Sequence, residues 1–138
     1  MTAPGNYNRD RGPATDTGVF AQAVRNGIDK EFIQWAEGFG RDIARSVTTS
    51  QIRNIYGTVK KIEMAGEIDL PAVLLLKPRI AYAAHRNKGM GAELAPIITQ
   101  AIDAVADGSS NEEKQERFQR FSKGFEAIVA YHRAAGGK

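Results

Sequence analysis

There is no cysteine in this chain, which excludes disulfides, thiolate zinc sites and cysteine nucleophiles together and accords with a reducing compartment. Imidazole is nearly as scarce. The two histidines, His85 and His132, have no acidic neighbour at the i and i+4 spacing of a helical ligand pair, so they make a poor metal site. Long apolar runs are missing as well. The longest, Leu70 to Leu76, falls far short of the roughly 20 residues that cross a bilayer and reads as the interior of one element. Met1 is followed by polar Thr2 to Asp16, which has neither a basic start with an apolar run nor an arginine-rich amphipathic pattern. No secretory or organellar signal is visible, and the expected localisation is cytoplasmic.

Catalytic groupings are equally thin. Glu112, Glu113 and Glu116 form an acidic first turn suited to a helix dipole rather than a paired-carboxylate acid and base. Gly89-Met90-Gly91 lacks the preceding strand and following lysine of a phosphate-cradling loop. No nucleophile, base and orienting group can be argued together, so neither an enzyme nor a cofactor nor a small-molecule substrate is expected.

What is present is a core and a helical rhythm. The 138 residues, 42% of them hydrophobic, give room for one domain. Residues 1–18, with Pro4, Gly5, Asn6, Gly12, Pro13 and Gly18, carry too little apolar surface to repay ordering and read as a flexible tail. Residues 19–138 read as a helical domain. Phe32, Ile33, Trp35, Ala36, Phe39 and Ile43 recur at three and four, predicting a helix from Asp29 to about Ser46 that Gly38 and Gly40 should weaken. Thr48 and Thr49 supply a start for a second helix, from Ser50 to about Ala65, with its seam at Ile52, Ile55, Val59 and Ile62 and Gly66 as its stop. Pro71 opens a third, running to about Asn87 and kinked by Pro78, with Gly89 and Gly91 closing it. A fourth spans Leu94 to Ala106. Ser110 and Glu113 form a capping-box pattern before a long fifth helix, whose seam is Phe118, Phe121, Phe125, Ile128, Val129 and His132. His132 thus reads as a partly buried structural residue, and His85 as a surface one. The fold class is all-α, a single-domain bundle of about five helices with a short extra helix allowed at Val19 to Asn26.

The net charge of +3 says little by itself, but its distribution is uneven. Leu70 to Ala92 contains no acid while Lys77, Arg79, Arg86 and Lys88 give a local +4. Arg41 to Lys61 carries Arg41, Arg45, Arg53, Lys60 and Lys61 against Asp42 alone. On the second helix Thr49, Arg53, Tyr56 and Lys60 share a strip beside the apolar seam, and on the third Arg79, Tyr82 and Arg86 repeat the arrangement. Cations a turn or two apart, interleaved with tyrosine, suit a sugar-phosphate backbone: guanidinium forks grip phosphates and a ring stacks on a base or packs a ribose. The same pattern also fits a solvated helix face in which Arg53 or Arg86 pairs with Glu126 and the tyrosines serve as packing.

Three blocks resemble a known family. They are Thr48-Thr49-Ser50-Gln51-Ile52-Arg53-Asn54, then Leu76-Lys77-Pro78-Arg79-Ile80-Ala81-Tyr82-Ala83-Ala84-His85-Arg86, and Phe125-Glu126-Ala127-Ile128-Val129-Ala130-Tyr131-His132. In this order they are similar to the small subunit of the type III-A CRISPR (Csm) effector complex, over about Phe32 to Lys138. The resemblance implies a non-enzymatic helical subunit, stacked in two or more copies inside a ribonucleoprotein filament that holds guide RNA and target RNA. It implies other copies of itself and the backbone and large subunits as partners, and no membrane. It also implies that Ser50, Arg53, Asn54, Lys60, Lys77, Arg79 and Arg86 face RNA. By the residues alone, a helical self-association or docking module without RNA contact remains the alternative.

Overall fold

Short polar side chains open most of the helices of this chain by accepting the N–H groups that a first turn leaves orphaned. In the computed structural model, which describes residues 18–137, Asp29 accepts from Phe32 N at 2.8 Å and starts α2 (Lys30–Ile43). Thr48 starts α3 (Thr49–Met64) with a complete capping box: its hydroxyl accepts from Gln51 N at 3.1 Å, and Gln51 Oε1 accepts from Thr48 N at 2.8 Å. Ser110 starts α7 (Asn111–Ala134), accepting from Glu113 N at 3.1 Å. Its partner Glu113 reaches one residue further back than a capping box requires, to the amide and hydroxyl of Ser109. Ahead of these lies α1 (Val19–Asn26), and between α3 and α7 come α4 (Leu70–Leu74), α5 (Leu76–Arg86), a π-helical turn at Met90–Leu94 and α6 (Ala95–Ala106). Every regular element among the described residues is helical, and together they form one all-α domain. The tail expected over residues 1–18 lies, apart from Gly18, outside the described residues.

Two breaks differ from the sequence expectation, each for a local reason. The kink assigned to Pro78 falls at Leu75, between α4 and α5. A proline ring clashes with the carbonyl four residues earlier and gives no N–H to it. Ending α4 at Leu74 therefore places Pro78 in the first turn of α5, where its missing N–H costs nothing. Gly89 and Gly91 do not close α5 either; Asn87 does, and the backbone is helical again from Lys88. Asn87 Oδ1 accepts from Met90 N at 2.8 Å, and a Cβ on Gly89 would run into Ser46. That glycine therefore lets the loop after α2 approach the next helix, an approach that the Ser46 Oγ to Glu93 Oε1 hydrogen bond secures at 2.8 Å. The wide turn that follows meets Pro96 at the start of α6, relieving the same proline clash.

The core is built around α7, which packs against α1, α2, α3 and α6. Phe118, Phe121 and Phe125 are fully buried along its seam. Phe121 lies 5.5 Å from Phe20 of α1 with the rings 7° from parallel, and Phe20 also covers Gly124, where any side chain would occupy its place. The short α1 is thus a central element, with Phe20 and Val24 wholly enclosed. Gly38 and Gly40 are buried too, and a Cβ on Gly40 would sit 2.7 Å from Tyr131 Cβ and 2.8 Å from the backbone N of His132. The glycine expected to weaken α2 instead allows its backbone to cross α7 closely. His132 is fully buried, beyond the partial burial expected, with Nε2 2.6 Å from the carbonyl oxygen of Val47.

Candidate nucleic-acid interface

The apolar seam of α3, Ile52, Ile55, Val59 and Ile62, is buried, as are Leu76 and Ile80 of α5. Burying these seams turns the polar sides of the two helices outward, and between them lies an open groove of about 640 Å3. Its cations are Arg53 and Lys61 on α3 and Arg79 and Arg86 on α5. Gln51, Asn54 and Thr58 supply neutral polar groups, Ile55 and Met90 apolar lining, and no acidic residue lines it. Arg53, Arg79 and Arg86 make no ion pair among the described residues, so their guanidinium forks are available. Arg86 Cζ lies 5.9 Å from the centre of the Tyr82 ring, one turn back on α5, within the range of a cation–π contact.

Of the residues expected to face RNA, the groove brings together Arg53, Asn54, Arg79 and Arg86. Ser50 is exposed in the first turn of α3, outside the lining. The two lysines are held elsewhere. Lys77 Nζ bonds Asp103 Oδ1 of α6 at 2.7 Å, and Lys60 Nζ bonds Glu63 Oε1 at 2.7 Å, an oxygen that also accepts from Ser122 of α7 at 2.8 Å. With half of the Asp103 side chain exposed, the first of these pairs is worth less than about 1 kcal/mol and opens readily. Lys61, absent from the expected set, lines the groove. The reason is helical phase. Asn54, Gly57, Thr58 and Lys61 share the groove side of α3 at intervals of three and four. The strip read from sequence, Thr49, Arg53, Tyr56 and Lys60, is turned toward α7 except for the long arm of Arg53.

Tyr56 shows that turn. Its ring packs edge-on to Phe125, 5.8 Å away, and the carboxylate of Glu126 lies near enough to act on its hydroxyl. Burial, and next the negative charge of Glu126, raise its pKa above the usual tyrosine value. The alternative pairing of Glu126 with Arg53 or Arg86 is not formed. The Lys60 hydrogen bond holds Glu63 below the usual carboxylate range, with the Ser122 hydroxyl assisting against burial. A carboxyl lowered in this way contributes stability above its ordinary pKa of about 4.3 and loses it as the pH falls through the lowered value. Wild type should therefore melt above Glu63→Gln at pH 7, with the gap closing as the pH drops below about 4.3. A gap that stays constant down to pH 3 would mean that the pair contributes nothing.

No group of three or more histidine, aspartate or glutamate side chains among the described residues is placed to hold a metal ion, and no described helix is long and apolar enough to cross a membrane. His85 is exposed on α5 and outside the groove lining. No curated protein and no solved structure matches the chain. The family model described as Csm2 Type III-A matches residues 28–138, a span that holds α2 to α7 and so both walls of the groove. The chain belongs to the Csm2 Type III-A family, the small subunit of the type III-A CRISPR complex.

Proposed function

We propose that this small subunit is a non-catalytic RNA-binding protein of the cytoplasm. It holds guide and target RNA by the sugar-phosphate backbone, without reading sequence, as repeated copies along the ribonucleoprotein in antiviral defence. The observation that carries the reading is the α3–α5 groove, four cations with no lining acid and three arginines free of ion pairs. Guanidinium groups in such a setting suit phosphate oxygens bidentately. Arg53, Asn54, Arg79 and Arg86 form the primary contact. Lys61 extends it, Ser50 lies at its edge, and Lys60 and Lys77 join by exchanging a carboxylate for a phosphate. Copies of the chain, with the backbone and large subunits, align successive grooves, so that a weak single-copy affinity becomes strong by avidity.

Exposed Leu75, at 64%, and Met64, at 80%, support a second reading, a module that docks copies or partner subunits and never touches RNA. Salt separates the two. On single-stranded RNA each neutralised phosphate contributes about −0.7 to the slope of log K against log salt, so four groove cations predict a slope near −3 for unrelated sequences alike. A flat response, with complex assembly intact, would favour the docking module.

A further inference from the structure

We propose that the groove selects RNA with an unpaired nucleotide, whose base stacks on Tyr82 while the flanking phosphates are held by Arg53, Arg79 and Lys61. This deepens the RNA-binding reading above and rests on it. Tyr82 is 66% exposed, while Tyr56 packs on Phe125 and Tyr131 packs against the core. Its ring therefore makes no comparable contribution to the fold, although it lies among the groove cations. Arg86 sits against the ring at 5.9 Å, which polarises it and adds a second planar group to the platform. A ring so placed offers a stacking surface that every base can use, so the contact carries no sequence preference. It does carry a preference for strandedness. A base inside an A-form helix has both faces covered by its neighbours and cannot meet Tyr82 without unstacking, so a duplex gains the phosphate contacts alone.

Stacking on an aromatic side chain is worth about 1–3 kcal/mol per base, or roughly fivefold to 150-fold in affinity. The test uses the full chain and fluorescence anisotropy with three labelled ligands: a 12-nucleotide single strand of adenosines, an RNA duplex of equal length, and a strand of equal length with abasic sites throughout. Affinities are extrapolated to 1 M salt, which removes the larger counterion release of the duplex. The intact strand should bind at least fivefold tighter than the duplex or the abasic strand. Tyr82→Ala should abolish that margin without changing the salt slope, and Tyr82→Trp should retain it. Equal affinity of the intact and abasic strands, or an equal loss for strand and duplex in Tyr82→Ala, overturns the proposal while leaving backbone binding standing. A wild-type chain that binds none of the three ligands overturns both. Because Tyr82 is exposed, circular dichroism of Tyr82→Ala should match wild type, so a lost margin reports the contact and not the fold.

Discussion

Phe121→Ala is expected to remove about 3–5 kcal/mol of stability, the range for emptying a fully buried phenylalanine site. Phe121 is wholly enclosed and stands at the centre of a ring cluster. Phe20 lies 5.5 Å away, Phe118 6.0 Å and Phe125 6.1 Å. Its removal opens a void between α1 and α7 that neighbours on one helix cannot fill without leaving their own partners. Since small domains are stable by only about 5–15 kcal/mol, the variant should lose from about a fifth to nearly all of the total. Urea denaturation at neutral pH measures the loss as a lower midpoint with an unchanged slope. A loss below about 1 kcal/mol would mean that the cluster is looser than its geometry implies. The consequence reaches the groove, because α7 also packs against α3, the helix that carries Arg53 and Lys61.

How far this architecture can be read in advance depends on how local each determinant is. The starts at Asp29, Thr48 and Ser110 are legible because a cap acts within three residues of itself. The seam of α7 is legible for the same reason, as one helix carries it whole. Elements set by distant neighbours are not. Residues Val19 to Asn26 read as a minor helix because nothing near them in the chain shows that Phe20 lies over Gly124, a hundred residues on. Gly40 reads as a helix weakener and Gly89 as a helix stop because the backbones they admit, at Tyr131 and Ser46, are invisible in a linear window. The functional face divides along the same line. The basic, acid-free character of α5 is composition and survives folding. Which side of α3 faces the groove depends on where α7 lies against it, and that choice makes Asn54, Thr58 and Lys61, rather than Tyr56 and Lys60, line the groove. Lys77 is tied by Asp103, twenty-six residues away on α6, a partner that no spacing rule would nominate.

Reversing the three free guanidinium groups, as Arg53→Glu, Arg79→Glu and Arg86→Glu together, should lower single-stranded RNA affinity by about 100-fold to 20,000-fold at low salt. The estimate takes each lost charged contact at about 1–2 kcal/mol, a tenfold change for every 1.4 kcal/mol. The fold should survive, since all three side chains are exposed and unpaired, and surface substitutions of this kind shift stability by about 0.5 kcal/mol or less. A single change probes the same groove by another route. Gly57 lies in its wall, and a Cβ there meets nothing within 4 Å. Gly57→Glu should therefore replace a helix-weakening residue at no packing cost while placing a carboxylate among the four cations. Its melting temperature should equal or exceed that of wild type, and its RNA affinity should fall at least tenfold. The salt slope should also flatten by roughly one phosphate equivalent, about 0.7. Charge reversal at Lys77 alone should do much less, because that ammonium stands outside the groove lining and reaches a phosphate only by leaving Asp103. If the triple reversal and Gly57→Glu both bind RNA as wild type does while Lys77→Glu does not, the RNA surface lies on the α6 side of α5 and the groove is not the site.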